Sequence, residues 1–223
     1  MYQPIFDTSE GHIQGVEVLL VHVDQIVLKR ACRELGPFIH SGSIEYFSVN
    51  ASPSDVASLG YATNFLATLR KYRIDPGTVL IEIIETAVME KSRTARSNLE
   101  QLSAAGIRIA LDDFGRGYAN YRTLLDLPIN VLKVDRSLIN TITDRPHLID
   151  FLVSIIHMAK ALGASTVCEG IETEEEKILA ETLGFDALQG FLISRPVGLA
   201  QLRTAIELDG EKQTLVEQQR RTA

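Results

Sequence analysis

Short apolar runs alternate along the chain with longer segments in which apolar residues recur at helical spacing. The short runs predict eight strands, at 2–7, 15–20, 46–51, 78–84, 107–113, 130–135, 166–171 and 187–193. The longer segments predict helices at 24–35, 54–73, 92–105, 147–162 and 174–183. Alternation of strands and helices is typical of parallel βα units. Eight strands in 223 residues, without a doubly wound fingerprint, favour a (β/α)8-type barrel.

The first connection departs from this alternation. Only seven residues, TSEGHIQ, separate the first two predicted strands, which is too few for a parallel crossover. We therefore expect an α/β fold, a modified TIM (β/α)8-type barrel with the first strand antiparallel. We assign the barrel to residues 1–208 and a polar C-terminal tail, either a frayed helix or a linker, to residues 209–223. Because the chain opens directly on a predicted strand, we expect a domain excised from a longer multidomain protein.

Composition and charge narrow the classes of function. The chain is 45% apolar and 23% charged, as expected for a globular domain with one large core. The formal net charge of -7 argues against binding a nucleic-acid polymer, although a local cationic or metal-bearing pocket could still bind a small anion. Cys32 and Cys168 fit no metal-ligand spacing and predict buried thiols in a reducing, cytoplasmic compartment. No apolar run approaches the roughly 20 residues of a membrane span, so we expect no membrane contact from this segment.

Polar side chains recur at or just beyond the predicted strand ends. They are Glu17, Asn50, Glu82, Glu85, Asp112, Asp113, Lys133, Glu169, Glu172 and Gln189. Each alone has an ordinary explanation, as an edge charge, a turn residue or an acid in the first turn of a helix. In a barrel, however, the carboxyl ends of the strands converge on one mouth. So many carboxylates in one place require cations, and an all-oxygen set without histidine indicates Mg²⁺ or Mn²⁺.

The motifs around these residues follow the order found in one known family. They are YQPI at 2–5, EVL at 17–19, NAS at 50–52, EIIE at 82–85, DDFGRGYANY at 112–121, LKVD at 132–135, CEGIE at 168–172 and LQGFLISRP at 188–196. Together they resemble an EAL-type cyclic di-GMP phosphodiesterase domain over almost the whole chain. Val18 stands where the family's signature has alanine, which makes this an EVL variant, and Ile84 stands where the family has threonine.

The resemblance implies hydrolysis of cyclic di-GMP to linear pGpG with two Mg²⁺ or Mn²⁺ ions. The implied metal ligands are Glu17, Asn50, Glu82, Asp112 and Asp113, and the implied catalytic residues are Lys133, Glu169, Asp113 and Glu17. The implied substrate-binding residues are Gln3, Leu20, Glu172, Gln189, Arg195 and Pro196. Glu85 would anchor the loop at 114–121. The resemblance further implies a homodimer, an upstream sensory or GGDEF-type domain, and a cytoplasmic location that could belong to a larger membrane-linked signalling protein.

One departure from the family pattern concerns the segment after Leu20. The family continues with an arginine that contacts the ligand phosphate, then a loop and a helix, whereas Leu20 here runs directly into VHVDQIV. Either this is a deletion, or two pieces of a longer chain are joined across a missing segment. We favour the second and predict that residues near the Leu20–Val21 joint are poorly ordered or separated in space.

Three other functions compete with hydrolysis of cyclic di-GMP. The first is a catalytically silent cyclic di-GMP receptor, since valine at the position of Val18 occurs in some members that bind the ligand without cleaving it. The second is a barrel used only for dimerisation, which gives no reason to retain the acids. The third is a two-ion hydrolase of another substrate, because metal ligands do not determine pocket specificity.

Overall fold

Eight strands close into one barrel in sequence order. The computed structural model describes residues 1–19, 25–84, 92–116, 125, 127–140, 145 and 147–222. The strands are β1 (Tyr2–Asp7), β2 (Ile13–Val18), β3 (Tyr46–Ala51), β4 (Val79–Ile84), β5 (Arg108–Phe114), β6 (Val131–Val134), β7 (Ser165–Cys168) and β8 (Ala187–Leu188). Strand β1 runs antiparallel to both β2 and β8, and every other neighbouring pair is parallel. The predicted modified TIM barrel with a reversed first strand is confirmed.

Helices surround the described part of the barrel. They are α1 (Gln25–His40), α2 (Pro53–Val56), α3 (Tyr61–Tyr72), α4 (Arg93–Ala104), α5 (Arg136–Asn140), α6 (Leu148–Ala161), α7 (Glu174–Leu183) and α8 (Leu199–Thr222), with a 3₁₀ turn at Pro76–Thr78. Within the described ranges, none of them combines the length and apolar character needed to cross a bilayer. Cys32 and Cys168 are both buried free thiols, as predicted.

Three helical segments differ from the sequence prediction. Helix α1 continues to His40, five residues beyond its predicted end at 35. The predicted helix 54–73 is divided into α2 and α3, and the loop between them is held by the Asn98 amide, which donates to Val56 O at 2.8 Å and Ser58 O at 2.9 Å. Helix α8 crosses the boundary predicted at residue 208, so the tail begins as a continuous helix. Asp209 joins that helix to the barrel, because its Oδ2 accepts a hydrogen bond from the Ile13 backbone at 2.8 Å.

Strands β7 and β8 end earlier than the apolar runs predict. The prediction extended them to 171 and 193, but they end at Cys168 and Leu188. Gly170 has a φ of +69°, outside the extended region. A Cβ on Gly190 would lie 2.1 Å from the Ile171 carbonyl oxygen, so the two segments approach as closely as glycine permits. The early ends leave Glu169 and Gln189 at the rim of the barrel.

Strand alternation positions the polar groups inside the barrel. An apolar layer fills its interior, made by Ile5, Tyr46, Leu80, Ala110, Val131, Val167 and Ala187. Because side chains on a strand alternate between faces, the residue two positions further along points to the same interior. Each such residue on β4 to β6, or directly after the end of β7 and β8, is polar: Glu82, Asp112, Lys133, Glu169 and Gln189. The barrel therefore carries a polar layer directly above an apolar one, at the carboxyl ends of its parallel strands.

Candidate active site

The ammonium group of Lys133 lies at the centre of the polar layer. Its Nζ lies 2.7 Å from Glu169 Oε1, 2.8 Å from Glu82 Oε2, 3.2 Å from Asp112 Oδ1 and 3.4 Å from Glu17 Oε2. Only 1% of its side chain is exposed. Strands β2, β4, β5 and β6 and the end of β7 thus direct four carboxylates and one amine at a single point.

A chain of amides orients the carboxylate of Glu17. Its Oε1 accepts a hydrogen bond from Asn50 Nδ2 at 2.9 Å, and its Oε2 accepts one from Gln189 Nε2 at 2.6 Å. The same Gln189 nitrogen lies 3.2 Å from Gln3 Oε1, and the Gln3 amide in turn donates to Ser194 O at 3.2 Å. Amides on β1 and β3 and directly after β8 therefore determine the position of one β2 carboxylate.

The electrostatics show an excess of negative charge in this layer. Burial raises the pKa of Glu169 to about 7, although the neighbouring Lys133 opposes the shift. Burial also raises the pKa of Glu82 and of Asp112. Burial alone would lower the pKa of Lys133, but the surrounding carboxylates raise it well above its usual range. A single buried ammonium is thus insufficient to keep all its partners ionised near neutral pH.

The donor set is chemically suited to a hard divalent cation. Carboxylate and amide oxygens are the ligands that Mg²⁺ and Mn²⁺ prefer. Glu82 Oε1 is buried and accepts no hydrogen bond from the described residues, and Asp112 Oδ1 is buried with only the Lys133 ammonium, at 3.2 Å, beside it, so both oxygens keep lone pairs for a cation. In those same ranges no three acidic, histidine or cysteine side chains are already arranged to hold a metal ion, and the Lys133 ammonium lies between the converging carboxylates. Cation binding would therefore require the side chains to rearrange.

Above this layer the barrel opens into a cavity of about 370 Å³. Its wall includes Gln3, Leu19, Asp112, Asp113, Asp135, Arg136, Glu172 and Phe191. Asp113 has a φ of +56°, in the left-handed region that aspartate tolerates better than most residues. This conformation ends the regular alternation of β5, and the Asp113 carboxylate pairs with Arg116 at 3.2 Å.

The comparison with protein families decides the assignment. The model of the EAL domain matches residues 19–196. The chain belongs to the EAL domain family. Among curated EAL proteins, it is 32% identical over 189 residues to the bifunctional diguanylate cyclase/cyclic di-GMP phosphodiesterase MucR of Pseudomonas aeruginosa, covering 84% of this chain and 28% of MucR. It is 37% identical over 154 residues to the probable cyclic di-GMP phosphodiesterase PdeA of Escherichia coli, covering 69% of this chain and 21% of PdeA.

Solved EAL structures share the architecture. The MucR phosphodiesterase in complex with cyclic di-GMP has a TM-score of 0.80 at 30% identity, over 90% of this chain and 92% of that one. The EAL domain of Mycobacterium smegmatis DcpA has a TM-score of 0.85 at 29% identity, over 93% and 95% of the two chains. A manganese and cyclic di-GMP complex of Klebsiella pneumoniae BlrP1 has a TM-score of 0.75 at 25% identity, over 87% and 55%.

Most of the residues implied by the EAL resemblance come together in this structure. The layer around Lys133 contains Glu17, Asn50, Glu82, Asp112, Glu169 and Gln189, with Gln3 beside it and Asp113 at its rim. Glu172 lines the cavity, but Arg136 binds its carboxylate through both guanidinium nitrogens. Their roles as ligands, base or substrate contacts stay predictions.

Some predicted residues lie away from the cavity or outside the described ranges. Arg195 is exposed and its guanidinium lies 4.6 Å from the Phe191 ring centroid, while Pro196 is half-buried; neither lines the cavity. Leu20, the Leu20–Val21 joint and Glu85 lie outside the described residues. So does the predicted loop 114–121 beyond residue 116.

The structure adds residues that the sequence analysis did not single out. Asp135 ends the LKVD motif and lies at the cavity wall directly after β6, so the rule of polar residues at strand ends could have found it. Arg136 packs across Gly170, where a Cβ would lie 2.6 Å from Arg136 Cβ. Arg116 bridges two carboxylates at the mouth. No periodicity in the sequence indicates either arginine.

Proposed function

We propose that this EAL domain hydrolyses cyclic di-GMP to linear pGpG with the aid of two divalent cations, Mg²⁺ or Mn²⁺. The observation that carries the proposal is the convergence of four strand-end carboxylates, one of which, Glu82, has an unpaired buried oxygen, beneath an open cavity. The cyclic di-GMP phosphodiesterases among its relatives, and the ligand in the MucR complex, support this choice of substrate.

The donor atoms suggest how two cations would be held. The oxygens of Glu17, Asn50, Glu82 and Asp112 would hold the first, and Asp112 and Asp113 would hold the second. Paired cations lower the pKa of a bound water and stabilise charge on the leaving oxygen of a phosphodiester. Lys133 would remain as a positive charge beside the phosphate, where negative charge develops during displacement.

Proton transfer falls to Glu169 in this proposal. A general base works best when its pKa lies near the working pH, and burial raises the pKa of Glu169 to about 7. Glu169 would take a proton from the attacking water as the oxygen bonds to phosphorus and the bond from phosphorus to the 3′ oxygen breaks. The departing oxygen takes up a proton, so water adds across the bond and leaves a 5′ phosphate and a 3′ hydroxyl.

A silent receptor is the second candidate, and the position of Val18 bears on it. Val18 is 1% exposed and belongs to the core between the barrel and its helices. Because neighbouring strand residues face opposite sides, the extra bulk at this position lies away from the cavity that Glu17 faces. The EVL variant therefore gives no steric reason for losing turnover.

Product analysis separates these two functions. The purified chain is incubated with cyclic di-GMP and either Mg²⁺, Mn²⁺, Ca²⁺ or a chelator, and the nucleotides are separated and identified by mass. We expect pGpG with Mg²⁺ or Mn²⁺ and none with the chelator. Ca²⁺ should support binding without turnover, because its larger, looser coordination misplaces the water. Binding of intact cyclic di-GMP under every condition would support the receptor instead.

A matched pair of variants tests the role of the carboxylate at the rim. Asp113→Asn keeps the shape of the side chain but removes the charge proposed to hold the second ion, so turnover should be abolished while the fold is retained. Asp150→Asn, at an exposed position on α6 that does not line the cavity, removes the same charge and should leave turnover unchanged. Normal turnover by Asp113→Asn, or its global unfolding, would contradict the assignment.

The chain spans 28% of MucR and 21% of PdeA, so it matches only part of those proteins. We propose that the barrel works as residues 1–208 of a longer signalling protein with an upstream sensory or GGDEF-type domain, as a homodimer in the cytoplasm. The name of MucR, which couples a diguanylate cyclase with a phosphodiesterase, supports such an architecture. Sedimentation of the full-length protein would test its oligomeric state.

A further inference from the structure

The turn that follows β5 places an arginine against the proposed second cation position. The Arg116 backbone N–H donates to the Asp113 carbonyl at 3.2 Å, which closes the turn. Gly115 within it has a φ of +99°, and a Cβ there would lie 2.3 Å from Leu138 Cδ1 on α5. The backbone of residue 116 is therefore held close to the cavity mouth by contacts that do not involve its own side chain.

The side chain of Arg116 joins two carboxylates at that mouth. Its Nη1 lies 3.2 Å from Asp113 Oδ1 and 3.5 Å from Asp113 Oδ2, and its Nε lies 3.7 Å from Asp135 Oδ2. Both aspartates line the cavity beside Asp112. The guanidinium thus neutralises the carboxylates where a second cation would need them.

Arg116 differs from Lys133 in how easily its side chain can move away from the carboxylates into solvent. Its side chain is 65% exposed, against 1% for Lys133. An exposed ion pair stabilises weakly and is screened by salt. A divalent cation at the same carboxylates can therefore displace the guanidinium into solvent, whereas the buried ammonium must remain.

We propose that Arg116 is an internal counter-ion that occupies the second cation position and sets the affinity for that cation. The inference rests on the proposed two-cation function and deepens it. In the cation-free protein Arg116 balances Asp113 and Asp135, and the second cation binds only in exchange for it. Arg116 is accordingly a positioning residue that acts through the aspartates, and the first cation position, around Glu82 and Asp112, is independent of it.

Mn²⁺ binding in the absence of nucleotide tests this exchange. Free Mn²⁺ is followed by electron paramagnetic resonance during titration of the wild type, Arg116→Gln and Arg116→Lys. We expect two classes of site in the wild type, and Arg116→Gln should tighten the weaker class about three- to tenfold, since two weak exposed ion pairs no longer compete. Arg116→Lys keeps the charge and should stay near the wild type.

The matched control is Arg96→Gln on α4. It removes the same charge and an exposed ion pair, with Glu100 at 2.9 Å, and neither of these two residues lines the cavity. An equal gain in this control would assign the effect to net charge and overturn the proposal. Unchanged Mn²⁺ affinity in Arg116→Gln, or a loss only of cyclic di-GMP binding, would also overturn it. If neither the wild type nor the variants bind Mn²⁺, the two-cation function itself fails; if all bind Mn²⁺ alike, only the role of Arg116 fails.

Discussion

Replacement of Lys133 by methionine tests whether this residue balances the charge of the cation-free barrel. Methionine has nearly the length and shape of the lysine stem but no charge, and the site is fully buried. Four carboxylates lie within 3.4 Å of the ammonium, so the variant leaves them without a cation. Removing one partner of a buried ion pair typically costs about 3–5 kcal/mol, and we expect a loss of that size in the free energy of unfolding at pH 8 with a chelator present.

The loss of unfolding free energy in Lys133→Met should increase as the pH rises. The pKa of Glu169 in the folded protein is raised to about 7 from its ordinary 4.5, so between these pH values the unfolded chain ionises this carboxyl while the folded protein keeps it protonated, and unfolding becomes easier as the pH rises. Stability from this carboxyl is therefore fully present below about pH 4.5 and is lost by about pH 7. Without Lys133, which opposes the shift, the pKa rises further and the window extends upward. The difference between wild type and variant should be smaller near pH 5.5 than near pH 8. Part of it should remain at pH 5.5, because the effect of burial on Glu17 is outweighed by Lys133 and its hydrogen-bond partners, which lower its pKa and keep the carboxylate ionised.

Urea denaturation at both pH values, with chelator and with Mn²⁺, measures these quantities. A cation bound at the site would replace the missing charge in the variant. Each tenfold by which Lys133→Met binds Mn²⁺ more tightly than the wild type should reduce the difference in their unfolding free energies by about 1.4 kcal/mol. Lys71→Met, at an exposed position on α3, is the control and should change stability little. Equal stability of Lys133→Met and the wild type at pH 8 in chelator would refute the reasoning. So would a gap that grows as the pH falls toward 5.5.

Three further outcomes follow from individual contacts. Gln189→Leu removes the 2.6 Å hydrogen bond to Glu17 and should weaken Mn²⁺ binding by about tenfold or more in calorimetric titration. Equal Mn²⁺ affinity of the variant and the wild type would show that the Gln189 amide does not orient the Glu17 carboxylate for cation binding. Gly115 has a φ of +99°, and an added Cβ would meet the Leu138 methyl group on α5, so Gly115→Ala should lower the free energy of unfolding by about 1–3 kcal/mol. The loss should clearly exceed that of the control Gly42→Ala, whose added Cβ meets no atom within 4 Å. Cys32 and Cys168 should resist Ellman's reagent until unfolding, since both are buried and burial raises the pKa of Cys32 to about 12; rapid labelling of the native protein would contradict this.

The barrel and its polar layer are largely predictable from the sequence because both depend on period-two alternation. Leu80 and Glu82, or Val131 and Lys133, share a face whatever the neighbouring strands do. The short connection between the first two strands likewise forces reversal through chain length alone. The division of the predicted helix 54–73 depends instead on Asn98, a residue distant in sequence whose amide binds the loop. No local pattern carries that information.

Which cationic groups balance the carboxylates was only partly predictable, because the sequence indicated Lys133 at the mouth but not Arg116. The position of Lys133 at a strand end is visible in the sequence, but its place among four carboxylates depends on how the strands are staggered around the barrel. Arg116 occupies a turn position where either a polar or a small residue would satisfy the backbone. Its contact with Asp135 joins the turn after β5 to the residue directly after β6, and only the folded barrel brings these two positions together.

The two positively charged side chains at the site, Lys133 and Arg116, differ in burial, and this makes the two proposed cation positions unequal. Lys133 is held by the barrel interior, with four carboxylates around its ammonium. In the proposed two-cation function, the first cation would share these ligands with that ammonium. Arg116 stands on an exposed turn, so the proposed second cation would replace one positive charge with two. The net gain of charge would then be smaller at the second position, and the Asp113 carboxylate there, 39% exposed, is better screened than the buried Glu82. We therefore expect the second position to bind its cation more weakly than the first and to limit turnover when cations are scarce.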